Sequence, residues 1–479
     1  MSAKKDKKKE KKHFRENIEA ITMAIAVALL FKTFVLEVSK IPSGSMQPTL
    51  MGSLTAGVND RVLVDKLSFR FRDPKRWEIV VFKHPLERSR VMVKRLIGMP
   101  EEDLKIEYGD LWHRVAGGEW TVLRRPDTVM ATVWKSLDVD EPSKSSWEAV
   151  SGEGWRTSGR SIQARGDGRA RFRPGQGSIV DRYADGYPDA LRGEIEAEAR
   201  GRLGARGQFD RHPINYVGDL RLEGRVEPDA GAELVYFKLQ EGLRTYEFML
   251  PGPAAAAGSK VEVQVRDSEV YTGSGRRPDR VETGPELRLE AGDETRFLIQ
   301  NLDDRLLLEV DGETLVELDI EPSPDQSSSV SVGLRGGTAE FTDLDLQRDI
   351  FYVLQDLQGT VTIPAGHYFF LGDNTLDSAD GRDWKAIEYT WNDGDGPRTG
   401  RGNHRPGENP RVGEDEDGVL YKGFRDQWGN VDWFPSDAAT AGTPVPAPLV
   451  PRELIQGRAL VVFWPIYPHK GIWRLGWLR

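Results

Sequence analysis

The alternation of apolar and polar positions divides the chain into one apolar N-terminal stretch and a long succession of short apolar runs. Residues 18–31 are mainly apolar and follow a tail rich in lysine. Farther along, runs such as residues 61–64 and 78–82 are rich in β-branched side chains and are bounded by prolines, which is typical of buried strands. The 50 glycines and 28 prolines indicate many turns. The pattern therefore predicts a mainly β fold behind a single N-terminal helix.

The N-terminal apolar stretch has three interpretations. Its uninterrupted part is only about a dozen residues long, shorter than the roughly 20 that a membrane-spanning helix needs. The first interpretation is a signal peptide that is removed, but no small-residue cleavage site follows the stretch. The second is a buried helix of a soluble protein. The favoured one is a membrane anchor at residues 18–38, with Lys32 extending to the far interface. The basic tail, residues 1–17, would then be cytoplasmic and everything after the anchor would face outward.

Composition excludes several kinds of function. The formal net charge of −10 leaves no basic surface for nucleic acid outside the N-terminal tail. The absence of cysteine excludes disulfides, thiolate metal sites and a cysteine nucleophile. The histidines have no paired spacing, and Asp373, Asn374 and Asp377 lack the spacing of an EF-hand loop. The sequence therefore predicts neither a metal site nor an organic cofactor.

The main candidate for chemistry is Ser45, which lies between Gly44 and Met46 in a segment broken by proline. A serine hydroxyl is a poor nucleophile until a base removes its proton, and no histidine is close to it in sequence. Lys94 lies in the apolar run 91–97 and is a candidate base. A free lysine has a pKa of about 10.4 and is protonated at pH 7, whereas burial penalises the charged form. Taken singly, Ser45 would be a turn residue and Lys94 a surface residue.

Together these two segments resemble the bacterial type I signal peptidases, which use a Ser/Lys dyad. A third segment, residues 369–384, resembles the motif usually written Gly-Asp-Asn-x-x-x-Ser-x-Asp-Ser-Arg-x-Trp and keeps its spacing. A fourth, residues 450–459, resembles the family's C-terminal strand. Four motifs in the family's order, behind a lysine-flanked apolar stretch, make the resemblance specific.

Three places depart from the family's pattern. Trp77 and Glu78 stand where the family usually has Gly-Asp, Glu101 stands at the second glycine of a Gly-x-Pro-Gly-Asp turn, and Gly381 replaces the serine before Arg382. The first two departures lie at turns. We therefore expect them to affect local loop geometry rather than the dyad.

The resemblance implies a role for each residue that matches the family's motifs. Ser45 would be the nucleophile and Lys94 its general base. The Ser43 hydroxyl and the Ser45 N–H would form the oxyanion hole, and Ser378 would orient the lysine. Structural support of the site would come from Arg95, Asp380 and Arg382. Shallow apolar pockets for small substrate side chains would be lined by Ile41, Pro42, Met46, Leu50, Met92 and Val93.

The implied function is that of a membrane-anchored serine endopeptidase that removes signal peptides from exported preproteins. Its partners would be signal-peptide-bearing preproteins and the lipid bilayer, with no nucleic acid, metal or cofactor. It would be a single-pass protein of the cell membrane with a cytoplasmic N-terminus and its catalytic domain on the outer face.

Three alternatives remain open. An intracellular self-cleaving Ser/Lys repressor would share the dyad, but not the anchor or the motif at residues 372–382. A catalytically impaired peptidase fold would act as a surface carbohydrate- or protein-binding module. An inactive scaffold would explain the departures from the family's pattern. Intact Ser45, Lys94 and Ser378 argue against the last two.

The peptidase-like core is predicted in three pieces, residues 39–137, 350–384 and 449–479. Residues 142–349 have alternating runs with Gly and Asp turns and are predicted to form an inserted antiparallel β-sandwich. Their end resembles the closing strands of concanavalin-like, laminin G-type jelly rolls, so a glycan or protein ligand would fit this domain. Trp147 and Trp155 would either stack on a sugar or belong to the core. Residues 385–448 are polar and turn-rich, and are predicted to be a loop insertion with little core of its own.

Overall fold

A computed structural model describes residues 2–53, 57–115, 117–137, 145–174, 178–183, 185–187, 189–205, 215–267, 279–323, 327–354, 357, 359–392, 396–415, 418–467 and 472–478. The chain divides into two compact units. The first unit comprises Met1–Glu102, Ile363–Gly372 and Ser378–Arg479, and the second comprises Asp103–Thr362 and Asp373–Asp377. Both units are mainly β, which confirms the predicted fold class.

Helix α1 spans Ser2–Phe34 and opens the first unit. Its 18 residues Asn17–Phe34 have a mean hydropathy of 1.5 and none of them is buried, so this part is long and apolar enough to cross a membrane. The predicted anchor extends to residue 38, but the helix ends at Phe34. The reason is that Leu36–Lys40 pair with Arg61–Asp65 as antiparallel strands.

The first unit continues with short strands and one helical turn before the chain enters the second unit. The elements are β1 Leu36–Lys40, β2 Gly52–Ser53, β3 Val58–Asn59, β4 Arg61–Asp65, α2 Ser68–Phe71, β5 Ile79–His84 and β6 Glu87–Gly98. A 3₁₀ turn at Gly44–Met46 separates β1 from β2. Residues 61–64 and 78–82 thus lie in or beside strands, as their apolar patterns predict.

The second unit contains most of the remaining strands. Its elements are β7 Glu102–Glu107, β8 Asp110–Val115, β9 Thr121–Val122, α3 Asp127–Val133, β10 Lys135–Ser136, β11 Trp147–Ser151, β12 Arg156–Ser158, β13 Ser161–Arg165, β14 Gly168–Phe172, α4 Asp189–Ala205, β15 Leu220–Pro228, β16 Leu234–Glu241, β17 Arg244–Pro251, β18 Lys260–Asp267, β19 Arg280–Glu286, β20 Thr295–Leu302, β21 Arg305–Val310, β22 Glu313–Asp319, β23 Ser328–Arg335, β24 Thr338–Arg348 and β25 Val361–Ile363.

Two antiparallel sheets of the second unit enclose one apolar core. Their strand orders are β12-β13-β24-β15-β20-β21-β22, with β10 beside β24, and β11-β14-β23-β16-β17-β18-β19. Side chains alternate between core and solvent along β15, as a half-buried strand requires. The ring of Phe237 in the second sheet lies 4.2 Å from that of Phe297 in the first, between ring centroids. Trp147 and Trp155 are buried in this core, which favours the packing interpretation over sugar stacking.

The second unit is longer than the predicted insertion, because residues 103–137 belong to it as well. Strand β10 pairs with the end of β24. Arg125 forms an ion pair with Asp349, and both side chains are almost completely buried. These long-range links tie the segment to the sandwich, so the predicted boundaries at 137, 142 and 349 all fall inside one unit.

The chain then returns to the first unit. The elements are β26 His367–Leu371, β27 Lys385–Asn392, β28 Pro397–Asn403, β29 Arg411–Glu414, β30 Leu420–Arg425, β31 Val431–Pro435, β32 Ala439–Ala441, β33 Val445–Pro446, β34 Leu449–Pro451, β35 Ile455–Trp464, β36 Ile466–Tyr467, β37 Ile472–Trp473 and β38 Gly476–Trp477. Its main sheet has the order β1-β4-β35-β5-β6-β26-β34, with β38 beside β35. Neighbouring strands in this sheet are antiparallel.

Residues 385–448 have a small aromatic core, which differs from the predicted loop with little core of its own. The core is built from Ile387, Tyr389, Trp391, Phe424 and Phe434, all buried. The rings of Trp391 and Phe434 stack with centroids 5.0 Å apart. These aromatic residues are separated by polar ones along the chain, so the composition of the segment is polar. In the structure, alternate positions of β27 are nevertheless buried.

Candidate active site

Lys94 lies in the middle of the main sheet of the first unit. Strand β6 has β5 on one side and β26 on the other, and Lys94 is the register partner of Val80. Leu96, on the same strand, is fully buried with Val80, and Lys94 is only 1% exposed. An amino group in such a place has lost most of its contact with water.

Ser378 is a hydrogen-bond partner of this lysine. The Lys94 Nζ donates to the Ser378 Oγ at 2.9 Å, and Ser378 is 3% exposed. The two residues are 284 positions apart in the sequence. The fold therefore brings together two of the residues that the motifs single out.

Gly372 places the backbone of Ser45 beside Ser378. A Cβ at Gly372 would lie 2.2 Å from the Ser378 Oγ and 2.3 Å from the Ser45 carbonyl oxygen, so only glycine fits there. The 3₁₀ turn Gly44–Met46 also contacts β6, which carries Lys94. The backbone of Ser45, which is half-buried, therefore lies close to Ser378, and its turn contacts the strand that carries Lys94.

Ser43 precedes this turn in an extended conformation, with φ −130° and ψ 157°. Its side chain is exposed and makes no capping hydrogen bond to the turn. Its backbone packs tightly on Gly52, where a Cβ would lie 2.3 Å from the Ser43 carbonyl oxygen. The backbone of Ser43 is therefore held in place while its side chain remains accessible.

Asp380 and Arg382 form a buried ion pair next to the serine. Their side chains are fully buried and 2.7 Å apart, and the Asp380 Oδ2 also accepts a hydrogen bond of 2.9 Å from the Gly372 N–H. Burial raises the pKa of the Asp380 carboxyl, but Arg382, Lys94 and the Gly372 amide together outweigh burial and hold the pKa below its ordinary value. The charged pair fixes the ends of the segment that carries Gly372 and Ser378.

Arg95 follows Lys94 on β6 and is fully buried. Its guanidinium donates to the Trp77 carbonyl at 2.9 Å, so it supports the turn that leads into β5. Trp77 has φ +73° and Glu101 has φ +66°. Both residues replace a usual glycine of the family, and both keep the left-handed backbone that favours glycine. The two departures therefore add local strain without changing the course of the chain.

The departure at Gly381 has a steric reason. A Cβ there would lie 2.8 Å from the Pro448 carbonyl oxygen and 2.8 Å from the ring of Phe369. These contacts are closer than Cβ atoms normally make, so a serine would have to displace its neighbours. Glycine at this position is a consequence of how β26 and the segment before β34 pack in this chain.

Most of the predicted pocket residues have little surface to offer. Ile41, Met46 and Leu50 are between 0% and 3% exposed and pack in one apolar cluster, while Met92 is buried in a second cluster. Leu50 in particular is a core residue, which corrects its predicted role. The remaining two are more accessible: Pro42 is exposed and Val93 is half-buried.

Asp60 and Arg474 form a clamp on the segment that contains Ser45, and no motif in the sequence predicts it. The Arg474 guanidinium lies 2.6 Å from the Asp60 carboxylate and donates to the Thr49 carbonyl at 2.9 Å. Asp60 is fully buried and also accepts from the Met51 N–H at 2.8 Å, while its carbonyl accepts from the Ile41 N–H at 2.9 Å. The clamp therefore holds both ends of the segment that contains Ser45. No local pattern reveals it, because the two residues are 414 positions apart.

Comparisons with known proteins agree with the motifs. The family model for signal peptidase, peptidase S26, matches residues 14–116 and 308–392. The chain is similar to a probable signal peptidase I-2 of Synechocystis sp., with 36% identity over 100 residues, 20% of this chain and 43% of that protein. It is also similar to signal peptidase I of Leptolyngbya laminosa, with 39% identity over 102 residues, 20% of this chain and 47% of that protein. The chain thus spans less than half the length of these relatives. The resemblance to type I signal peptidases is confirmed.

Among solved structures, the carbohydrate binding module CBM66 from Bacillus subtilis matches 42% of this chain and 93% of its own length. The identity is 11% and the TM-score is 0.24. A score this low bears on neither the fold nor the function of this chain.

Proposed function

We propose that this chain, a relative of the type I signal peptidases, is a membrane-anchored serine endopeptidase that removes signal peptides from exported preproteins. The observation that carries the proposal is the buried hydrogen bond of 2.9 Å between Lys94 and Ser378, beside the turn that holds Ser45. A lysine that is 1% exposed and held by a hydroxyl is a suitable general base.

In the proposed reaction, the Ser45 Oγ attacks the carbonyl carbon of the scissile bond while the Lys94 Nζ takes its proton. The oxyanion that forms receives hydrogen bonds from the Ser43 hydroxyl and the Ser45 N–H. Lys94 then gives its proton to the leaving amine, and an ester remains on Ser45. The Lys94 amine then deprotonates a water molecule, which attacks the ester. Ser45 recovers its proton from Lys94 as the acyl group leaves. Ser378 is a positioning residue, since it touches the base rather than the substrate.

Substrate selection would depend on small side chains before the cut, as in the family that the chain resembles. Pro42 is exposed and Val93 is half-buried, so these two residues are the accessible candidates for pocket walls. Ile41, Met46 and Met92 would shape the pocket from behind, because they are buried.

The membrane location follows from the substrate, since a scissile bond next to an apolar helix remains close to the bilayer. The candidate span Asn17–Phe34 would anchor the chain, with its basic tail in the cytoplasm. Several large apolar side chains of the first unit are exposed, namely Phe71, Trp473, Leu475 and Trp477, each by 66% or more. Tryptophan prefers the bilayer interface, so we assign these side chains to contact with lipid.

Detergent-solubilised protein incubated with a preprotein that carries an Ala-x-Ala site tests the proposal. Wild type should release a product whose N-terminus begins directly after that site, and Ser45→Ala and Lys94→Ala should each reduce its release to a residual rate far below that of wild type. The exposed residues Ser89 and Lys83 supply matched controls, because Ser89→Ala and Lys83→Ala remove the same groups away from the site. A wild-type protein that folds but releases no product would favour the surface-binding alternative.

A further inference from the structure

The second unit contains an acidic cleft that the peptidase reaction does not use. Asp110 begins β8, Asp219 precedes β15, and Asp303 lies in the turn between β20 and β21. Each of the three offers a carboxylate oxygen, and these oxygens all lie within 4.8 Å of one another. Three carboxyl groups from separate parts of the unit are thus held close together, which is unfavourable for their charged forms without a compensating positive charge.

A fourth acidic residue, Asp304, lines the same cleft, and one of its carboxylate oxygens has no hydrogen-bond partner among the described residues. Asp304 lines the cleft together with Asp110 and Asp219. It is 7% exposed, and its Oδ2 is buried without a hydrogen-bond partner in the part of the chain that the structure describes. Asp303 is 3% exposed, and its Oδ2 likewise has no hydrogen-bond partner among the described residues. Buried carboxylate oxygens are normally hydrogen-bonded or bound to a metal.

The arginines around the cleft are engaged with other groups. Arg125 is paired with Asp349, and Arg244 with Asp267 at 3.0 Å. Arg124 donates to the backbone carbonyl of Asp303, not to its carboxylate, and to Asp319. These hydrogen bonds and ion pairs go to Asp349, Asp267, Asp319 and a backbone carbonyl, while Arg124 and Arg125 act on the Asp303 carboxylate through electrostatic attraction.

We propose that Asp110, Asp219, Asp303 and Asp304 bind a calcium ion. Ca²⁺ takes six to eight oxygen ligands at about 2.3–2.6 Å, so two oxygens on one ion lie at most about 5 Å apart. Mg²⁺ keeps most of its water and uses one or two carboxylates, and Zn²⁺ prefers histidine and cysteine, which this cluster lacks. The ion would join the start of β8 to the sandwich and so stabilise the second unit.

Terbium luminescence of the full-length protein in detergent, after removal of divalent ions with a chelator, tests the site directly. Tyr108 lines the cleft and can sensitise Tb³⁺. Tb³⁺ emission excited through tyrosine should saturate and be displaced by Ca²⁺ but hardly by Mg²⁺. Ca²⁺ at about 100 times its Kd should also raise Tm by about 5–10 °C.

Asp219→Asn keeps the side-chain oxygen that accepts from the Asp303 N–H at 3.2 Å, so it removes charge with little change of shape. It should weaken Tb³⁺ binding by at least tenfold and abolish the Tm gain. Asp110→Asn is the second variant, should the first fail to fold, and the exposed Asp293→Asn is the control that should behave as wild type.

Two results would overturn the proposal. One is a wild-type Tm that Ca²⁺ does not change, together with Tb³⁺ emission that does not saturate. The other is Tb³⁺ binding that is equal in wild type and in both cleft variants. None of these readouts depends on peptidase activity, so failure here is distinguishable from failure of the proposed function.

Discussion

Removal of the Ser378 hydroxyl tests how the base is positioned. The Lys94–Ser378 hydrogen bond of 2.9 Å joins two side chains that are 1% and 3% exposed, so water cannot replace it easily. In the proposed reaction the lysine gains a proton as Ser45 attacks, and a hydrogen bond to a charged group contributes about 1.5–3 kcal/mol. Ser378→Ala should therefore lower kcat/KM on a preprotein by about 10- to 150-fold. Most of the loss should appear in kcat, because the bond is stronger in the transition state than before it.

A double-mutant cycle distinguishes this positioning role from a merely structural one. The residual rates of Lys94→Ala and of the double variant Lys94→Ala/Ser378→Ala should agree within about twofold, because Ser378 acts only through the lysine. Quantified gel bands or mass spectra of the processed preprotein supply the rates, with Ser89→Ala as the control. If Ser378→Ala costs as much without Lys94 as with it, the hydroxyl does not act through the base. Full kcat in Ser378→Ala would refute the reasoning altogether.

Three further predictions concern the surroundings of the site. Glu101→Gly should stabilise the protein by about 1 kcal/mol, read as a higher Tm, because φ +66° is strained for an exposed glutamate; a lower Tm would contradict the strain. Arg474→Ala should destabilise the first unit by about 3 kcal/mol in denaturant unfolding and lower kcat, since it leaves Asp60 buried without its cation; unchanged unfolding and kcat would exclude the clamp. The pKa of Asp380 is lowered on folding, so its contribution to stability is complete above the ordinary value of 3.8 and is lost as the pH falls through the lower folded pKa. Asp380→Asn should therefore lose less stability than wild type between pH 5 and about pH 2 in a series of thermal scans, and parallel acid losses would contradict this assignment.

The local sequence pattern was sufficient to predict the strands that are determined by neighbouring residues. The strand around Lys94 is an apolar run with β-branched residues, and it folds as β6. Ser378 could be connected with Lys94 only through a motif, because 284 residues separate them. Apolar runs indicate burial but not the surface against which a side chain is buried. Leu50 illustrates this, since the family resemblance assigns it to a pocket wall whereas the structure buries it in the core.

Long-range contacts explain what the sequence could not predict. The boundary of the second unit depends on the pairing of β10 with β24 and on the ion pair between Arg125 and Asp349. In both pairs, the sequence around one partner gives no indication of where the other partner lies. The Asp60–Arg474 clamp is hidden in the same way. The departures from the family's pattern at Trp77, Glu101 and Gly381 can be explained only from backbone angles and Cβ distances. Composition and motif spacing contain neither.

The most direct test of the central claim is to trap the covalent intermediate. A preprotein and the solubilised enzyme are mixed, quenched in acid within the first turnover, digested and analysed by mass spectrometry. The account predicts that the peptide containing Ser45 gains the mass of the signal-peptide acyl group, and that Lys94→Ala does not accumulate this ester. Processing that proceeds with the acyl group on another residue, or with no covalent intermediate under conditions where hydrolysis is slow, would contradict Ser45 as the nucleophile.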